Sequence, residues 1–257
     1  MAAPSICVFF HCGTWSEWPF FESYLQHLKG VVDFDFLVTL RPCANKNESE
    51  ARKKVFHEFY ASMKTSSGEC WVIEMEENRG LDIGGFLTSL AFLRGIQRLS
   101  YDYILKVHTK RAFPPNWKSW PKDWRVGLME AVLGSPTQIQ KCLHLLKSES
   151  SHGMIASKEW IWEEDERDDI ARYAESSLLS KTILYETKSS NKKQFVAGTI
   201  FWARFAPLVK PFLDMNLAKL VREMPVGKKD WVDAEPQYVE RLLGTVMQNA
   251  QLNIYGV

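Results

Sequence analysis

Short apolar runs alternate with amphipathic segments in the first half of the chain. Runs of strand length occur at Ile6–Phe10, Phe34–Thr39, Cys70–Met75 and Tyr103–Val107. Between them, apolar side chains recur at helical spacing over Trp15–Leu28, Glu48–Met63 and Ile83–Arg98. Successive strand–helix units predict an α/β fold with a mostly parallel central sheet and helices on both faces. Right-handed crossovers make this half Rossmann-like.

The second half of the chain is less regular. Helices are predicted over Gly127–Lys147, Trp160–Tyr173, Phe205–Met224 and Gln237–Gln248, with breaks at Gly134–Pro136 and Pro211. Strands are predicted over Gly153–Ala156 and over Phe195–Arg204, the second interrupted by Gly198. The polar stretch Ser176–Lys193 predicts a mobile loop, or a loop together with a helix. No stretch has the composition of a linker, which favours one domain over 1–257.

Composition narrows the class of protein. The chain has 257 residues, with 32 Lys and Arg against 31 Asp and Glu, and a formal net charge of +1. This balance argues against nucleic-acid binding through bulk basicity. No apolar run reaches the length of about 18 residues that predicts a transmembrane helix, and the apolar N-terminus lacks the basic residues of a signal peptide. Five cysteines without a CxxC pair fit a reducing cytosol.

Tryptophan is abundant, with ten residues in the chain. Half of them lie in two clusters, Trp117, Trp120 and Trp124 in the first and Trp160 and Trp162 in the second. Such rings either pack in the core or form a flat surface on which a sugar or a base can stack. The sequence alone leaves both interpretations open.

Three polar segments follow predicted strands, namely His11–Gly13, Asn78–Gly85 and His108–Arg111. Ligands of parallel sheets bind at the carboxyl ends of the strands, so these segments are the first candidates for a site. In the second segment, glycines and a helix N-terminus favour the close approach of an anion. Asn78, Arg79 and Asp82 converge there as candidate ligand contacts, although Asp82 also fits the role of helix N-cap.

Lys106 lies within an apolar strand pattern, where an unpaired ammonium group is costly. Alternation places Lys106, His108 and Lys110 on one side of that strand. A row of such donors suits a diphosphate. The alternative is a buried salt bridge between Lys106 and an internal carboxylate such as Asp82.

Two later segments carry further candidates. Gly198 marks a bulge, the close approach of a ligand or a tight contact in the core. Several carboxylates lie around the start of the last predicted helix, between Asp230 and Glu240. They either cap the helix and balance its dipole, or one of them lies in a pocket as a general base.

In this order along the chain, the segments resemble the rhamnan synthesis protein F family, a group of glycosyltransferases of polysaccharide assembly. The resemblance is carried by Asn78–Gly84, Tyr101–Lys110, Leu133–Pro136, Ala197–Arg204 and Glu240–Arg241. It implies a GT-A-like fold in one domain, with a Rossmann-like nucleotide-binding half over 1–112 and an acceptor and sugar half over 113–257. It also implies transfer of rhamnose or another hexose from a UDP- or dTDP-sugar to a glycan or glycolipid acceptor, with inversion. A cytoplasmic protein is expected, peripheral to a membrane where the acceptor is lipid-linked.

The resemblance also implies roles for individual residues. His11 and Gly13 would lie at the nucleotide end of the first strand. Asn78, Arg79 and Asp82 would contact the base, the ribose or the phosphates.

The remaining roles fall in the second half. The sugar pocket would be lined by Gly198, Thr199, Trp202 and Arg204. Glu235 would be the general base, because it lies near the start of a late helix and ahead of Arg241, with Asp233 as the second choice. Glu240 is expected to be structural, paired with Arg241 or a lysine.

The sequence departs from most GT-A enzymes, since no Asp-x-Asp metal motif follows the fourth strand. Lys106, His108 and Lys110 stand in that place, and fixed donors there would stabilise the leaving diphosphate instead of Mn2+ or Mg2+. Asp82 is the candidate metal ligand if a cation is used. The alternative function is a non-catalytic domain that binds a nucleotide sugar or a carbohydrate on a degenerate GT-A fold. A nicotinamide-dependent oxidoreductase is disfavoured, because no GxGxxG turn follows the first strand.

Overall fold

A computed structural model describes residues 3–63, 68–111, 124–163, 193–226 and 235–257. The mobile loop predicted over 176–193 lies outside these ranges except for its last residue. The strands are β1 (Ile6–Cys12), β2 (Asp35–Leu40), β3 (Cys70–Glu74), β4 (Tyr103–His108), β5 (His152–Ala156), β6 (Ile161–Glu163), β7 (Gln194–Val196), β8 (Phe201–Arg204) and β9 (Asn253–Gly256).

Helices connect most of these strands. The α-helices of the described ranges are α1 (Trp18–Leu25), α2 (Lys46–Met63), α3 (Leu81–Gly95), α4 (Trp124–Leu133), α5 (Pro136–Ser148), α6 (Phe205–Leu213), α7 (Leu217–Glu223) and α8 (Glu235–Asn249). Single 3-10 turns occur at Trp15–Glu17, Gln26–Leu28 and Lys158–Trp160.

Seven strands form one sheet in the order β3-β2-β1-β4-β8-β5-β9, and β6 and β7 pair separately. β1 is parallel to β2 and β4, and β2 is parallel to β3. β8 is antiparallel to β4 and β5, and β9 is parallel to β5, so β8 alone opposes the other described strands of this sheet. The expected α/β fold with a mostly parallel central sheet is therefore confirmed. The order 3-2-1-4 in the first half is that of a Rossmann-like unit.

The sheet separates two apolar cores. On β1, Val8 and Phe10 pack in the core beneath α1, α2, α4 and α5, whereas Cys7 and Phe9 pack in the core beneath α3, α6, α7 and α8. Because both faces are buried, the central strands are apolar throughout rather than alternating. Polar side chains on β1 and β4 are concentrated at the carboxyl ends of these strands.

Most boundaries predicted from the sequence are confirmed to within a few residues. The predicted break at Gly134–Pro136 separates α4 from α5. There Pro136 begins α5, and the hydroxyl of Ser135 accepts a hydrogen bond from the Gln138 amide. Gly198 separates β7 from β8, as its position predicts.

Two helix predictions are wrong in part. Ile161–Glu163 is strand β6, paired with β7, because its backbone partners lie more than thirty residues away along the chain. The rest of that predicted helix lies outside the described residues. The break expected at Pro211 falls instead between α6 and α7. Pro211 lies inside α6, and the next helix begins where Asn216 accepts a hydrogen bond from the Lys219 amide.

Candidate functional site

The parallel half of the sheet has its topological switch point between β1 and β4. Their carboxyl ends lie side by side, with His11 in register with His108. α1, which follows β1, packs on one face of the sheet, and α3, which precedes β4, packs on the other. Diverging crossovers of this kind leave a crevice at the strand ends, which is where open α/β sheets bind ligands.

A buried ion pair lies at the base of this crevice. Nζ of Lys106, on β4, is 2.8 Å from Oδ2 of Asp82, in the first turn of α3. The Lys106 side chain is only 2% exposed. It also donates to Oγ1 of Thr199, at 2.8 Å, and to the Thr199 carbonyl oxygen, at 3.2 Å. Because every donor of a buried ammonium needs a partner, this geometry explains how a lysine is tolerated inside the strand.

Asp82 is ionised in this setting. Burial by itself raises the pKa of Asp82, but the basic side chains of His108, Lys106 and Lys110 outweigh it and hold the pKa well below the usual range. The expected salt bridge between Lys106 and Asp82 is thus confirmed. The N-cap role is wrong, since Gly80 occupies that position, at φ +65°.

His108 lies next to this pair. Burial lowers the pKa of His108 to about 3, and the opposing effect of the Asp82 carboxylate does not offset it, so the ring is neutral at pH 7. Nε2 lies 2.8 Å from the carbonyl oxygen of Gly198, whereas Nδ1 lies 3.2 Å from that of Thr109. We assign the single proton of the neutral ring to Nε2, because a carbonyl oxygen only accepts and that of Gly198 is the nearer.

A strained turn between β7 and β8 completes the site. Gly198 has φ +93° and Thr199 has φ +48°, which is unusual for a β-branched residue. A Cβ at Gly198 would lie 2.9 Å from Leu128 Cδ1 and 3.0 Å from Trp124 Cζ3, so glycine is required for both space and conformation. Strain of this kind persists only where the surroundings hold it, and it is concentrated at functional sites.

Glu240, on α8, holds this turn from the other side. Its Oε1 accepts a hydrogen bond of 2.6 Å from the amide of Gly198. Burial raises the pKa of Glu240, and Lys110 opposes this shift. We call Asp82, Lys106, His108, Thr199 and Glu240 the switch-point cluster, because β4, α3, α8 and the turn after β7 all meet there.

His11 lines the neighbouring part of the crevice on β1. Its Nδ1 is 3.0 Å from the hydroxyl of Thr39, and burial lowers the pKa of His11 to about 4. A Cβ at Gly85 would lie only 2.4 Å from the same ring nitrogen, so glycine allows α3 to approach β1. A small cavity lies between His11, Asp82 and Lys106.

The loop after β1 is tied to β4. The amides of Gly13 and Thr14 donate to Oγ1 of Thr109, at 2.8 and 2.9 Å. Gly13 therefore lies at the carboxyl end of β1, where the sequence placed it. Its role towards a nucleotide stays a prediction.

Asn78 and Arg79 lie beside the entrance to α3. Arg79 forms an ion pair with Glu77 and donates from Nη1 to the carbonyl oxygens of Arg222 and Met224, at 3.0 Å each. Oδ1 of Asn78 is buried and has no hydrogen-bond partner within the described part of the chain. Of these two side chains, Asn78 thus keeps an unused acceptor, whereas Arg79 is engaged with the end of α7.

Trp202 and Arg204 lie away from the cluster. Trp202 points to the opposite face of the sheet, fully buried, and its Nε1 donates to the carbonyl oxygen of Val132 at 3.0 Å. Arg204 donates from Nε to the carbonyl oxygen of His152 at 2.8 Å. Of the four residues expected to line the sugar pocket, Gly198 and Thr199 are brought to the cluster and these two are not.

The remaining candidates are Lys110, Glu235 and Asp233. Nζ of Lys110 lies 4.0 Å from the ring centre of Trp124, which is a cation–π contact. Glu235 begins α8, and Asp233 lies outside the described residues.

Glu240 was expected to pair with Arg241 or a lysine, and its hydrogen bond to the turn at Gly198 was not predicted from the sequence. No local pattern shows that contact, because it joins residues 42 positions apart.

The described residues do not fit a divalent cation. Oδ2 of Asp82, the candidate ligand, already accepts hydrogen bonds from Lys106 and Thr199. Within the described ranges, no group of three or more His, Cys, Asp or Glu side chains is placed to hold a metal ion. The cation at this carboxylate is the ammonium group of Lys106, at 2.8 Å.

Comparison with models of protein families gives a match. The family model described as rhamnan synthesis protein F matches residues 4–252, nearly the whole chain. No curated protein matches the chain significantly. Among the helices in the described ranges, none combines the length and the apolarity needed to cross a bilayer.

Proposed function

The chain belongs to the rhamnan synthesis protein F family, and from that premise we propose that it is a glycosyltransferase. Membership ties the chain to glycan synthesis. In the proposed reaction, a sugar passes from a nucleoside-diphosphate sugar to a hydroxyl group of a glycan or glycolipid acceptor. UDP- and dTDP-sugars are the candidate donors, with rhamnose the first candidate for the sugar.

The observation that carries the proposal is the position of the switch-point cluster. It lies at the carboxyl ends of the strands in a Rossmann-like half, where such sheets bind nucleotides. The Lys106–Asp82 pair joins β4 to the first turn of α3, and a helix N-terminus favours an anion. This supports a GT-A-like arrangement in which the nucleotide lies over β1 and β4.

The charges around the cluster support the binding of a diphosphate. Lys106 is balanced by Asp82 at 2.8 Å, so this pair stabilises the floor of the crevice without adding net charge. Lys110 adds a further cation beside Gly198, where Nζ would lie 3.4 Å from a Cβ. We assign to Lys110 the main contact with the leaving diphosphate, since fixed cations stabilise charge that develops in the transition state.

The start of α8 supplies the proposed general base. Glu235 begins this helix, and Glu240 is fixed against Gly198. Five residues of α-helix span about 7.5 Å, which is the distance along the helix from Glu235 to Glu240. Asp233, just before the helix, is the second candidate for the base.

The proposed step is a direct displacement. The carboxylate of Glu235 takes the proton of the acceptor hydroxyl while that oxygen forms a bond to the anomeric carbon. The bond from the anomeric carbon to the diphosphate breaks on the opposite face, and the nucleoside diphosphate leaves with the electron pair. The configuration is inverted. No step of this proposal is routed through a metal ion.

The test of this proposal is a transfer assay that measures release of UDP or dTDP in the presence of a rhamnan oligosaccharide. We expect Glu235→Gln to lose about 10²–10⁴-fold in turnover and to keep the affinity for the donor. Glu223→Gln, which changes an exposed carboxylate at the end of α7, is the matched control. Turnover of Glu235→Gln close to that of the unmodified protein would contradict the assignment.

A second candidate function is a non-catalytic domain that binds a nucleotide sugar or a carbohydrate. It is favoured by the sequence after the fourth strand, where Lys106, His108 and Lys110 stand in place of the Asp-x-Asp motif of most GT-A enzymes. This alternative predicts donor binding without release of nucleoside diphosphate, and no effect of replacing Glu235. The same transfer assay therefore separates the two functions.

A further inference from the structure

Tryptophans from the two sequence clusters come together beside the switch-point cluster. The rings of Trp124 and Trp160 have their centres 5.3 Å apart, and those of Trp160 and Trp162 are 5.9 Å apart. We call these three residues the aromatic row. It joins α4 to the turn before β6 and to β6 itself, so side chains about forty residues apart pack ring against ring.

One end of this row lies beside Gly198 and Lys110, which adjoin the switch-point cluster. Trp124 lies beneath Nζ of Lys110 and next to the Gly198 backbone. In addition, the amide of Ala197 donates to the carbonyl oxygen of Trp160 at 2.8 Å. The strained turn that carries Thr199 is therefore bonded directly to the backbone of the row.

The other end of the row reaches the surface. Trp162 is 39% exposed, whereas Trp160 is 4% exposed. The ring of Trp162 is supported by Phe195, its register partner on β7, with ring centres 6.2 Å apart. The ring is thus fixed from below while part of it faces solvent, and a fixed aromatic surface loses little conformational entropy on binding.

The row also lies on the side suited to the acceptor. His11 and Thr39 border the crevice on the β1 and β2 side, where the nucleotide is proposed to lie. The row starts on the opposite side of Lys106, at the turn that leads into β8. The acceptor must reach the anomeric carbon without displacing the nucleotide, and the row lies on the side away from the proposed nucleotide position.

From these contacts we propose that the aromatic row is a subsite for the saccharide chain of the acceptor, with Trp162 as its outer stacking platform. Sugar rings present apolar C–H faces, and a rhamnose adds a methyl group. Such faces match the flat ring of an indole. This inference rests on the proposed function, because it identifies the chain as one that acts on a glycan.

The test is calorimetric titration with two separate probes, a rhamnan oligosaccharide and the nucleoside diphosphates UDP and dTDP. We expect Trp162→Ala to weaken oligosaccharide binding about tenfold or more, and to leave nucleotide affinity unchanged. Trp162→Phe keeps a ring and should retain most of the affinity. Ile96→Ala is the control, because Ile96 is similarly exposed, at 41%, but lies just beyond α3 at the end remote from the cluster.

The outcomes separate this inference from the proposed function. Unchanged oligosaccharide affinity in Trp162→Ala would overturn the subsite, as would a folded protein that binds nucleotide but no oligosaccharide. A protein that binds the oligosaccharide through Trp162 but binds no nucleotide would retain the subsite and contradict the transferase.

Discussion

Thr199 donates its hydroxyl proton to Asp82 at 2.6 Å, although the two residues are 117 positions apart in the sequence. The same oxygen accepts from Nζ of Lys106 at 2.8 Å. Thr199 makes these contacts from a backbone at φ +48°, a costly conformation for a β-branched residue. The polar contacts and the strained turn therefore depend on each other.

Removing the Thr199 hydroxyl tests this dependence. Thr199→Val keeps the branched shape and the strain but leaves Asp82 and Lys106 each without one partner. We expect a loss of about 1–3 kcal/mol in the free energy of unfolding, measured by urea denaturation. Thr199→Ser keeps the hydroxyl and should remain close to the unmodified protein. Equal stability of the two variants would contradict the account.

The buried ion pair should be strongly coupled. Lys106→Met leaves the carboxylate of Asp82 buried without its main counter-charge, which typically costs about 3–5 kcal/mol. The double variant Lys106→Met/Asp82→Asn removes both charges, so it should be more stable than the single lysine variant. A double variant that loses the sum of the two single losses would show that the pair is not coupled.

Stability should fall on acidification below pH 6.5. Burial lowers the pKa of His11 to about 4 and that of His108 to about 3, from an ordinary value of 6.5. At pH values between the lowered pKa of each histidine and 6.5, the unfolded chain binds more protons than the folded protein does. The contribution of the neutral histidines to stability is therefore fully present above pH 6.5 and is lost as the pH falls towards 4. Glu240, whose pKa is raised, acts in the opposite direction and reduces the slope.

This pH dependence can be measured by urea unfolding at pH 7 and pH 5. His11→Asn and His108→Gln should each flatten the slope by up to about 1.4 kcal/mol per pH unit. His144→Gln, at an exposed position on α5, serves as the control. If the two buried variants keep the slope of the unmodified protein, the histidines are not buried in neutral form.

Two glycines of α3 should respond oppositely to alanine. A Cβ at Gly84 would lie 1.8 Å from the carbonyl oxygen of Arg79, whereas nothing lies within 4 Å of a Cβ at Gly95. Gly84→Ala should therefore destabilise the protein by about 1–3 kcal/mol or more. Gly95→Ala should be neutral or stabilise it by up to about 1 kcal/mol. Thermal unfolding of both variants gives the comparison, and a neutral Gly84→Ala would contradict the close packing of α3.

Periodicity predicted the first half of the fold well, because each strand–helix unit is local in sequence. The alternation that placed Lys106 and His108 on one side of β4 is confirmed, since both face Asp82. The sequence could also indicate that a buried lysine needs a carboxylate. It could not decide whether Asp82 bonds to Lys106 or caps its own helix, because a carboxylate at the start of a helix can reach either the helix amides or the lysine.

Contacts between distant segments were not predictable in the same way. β9 and the β6–β7 pair exist through hydrogen bonds to remote strands, and β8 enters the sheet antiparallel between β4 and β5. Glu240 was taken for a structural carboxylate, and its bond to Gly198 depends on the packing of α8 against β7. That packing is very close, since a Cβ at Gly244 would lie 1.9 Å from the carbonyl oxygen of Gln194.

The most direct test of the proposed function is the binding of a nucleotide sugar. The measurement is a calorimetric titration of the protein with UDP, dTDP and their sugars, each with and without Mn2+. The account predicts that a uridine or thymidine diphosphate sugar binds, with the same affinity whether or not the metal is present. A folded protein that binds none of these ligands would contradict the proposed function, and binding that requires Mn2+ would contradict the role given to Lys110.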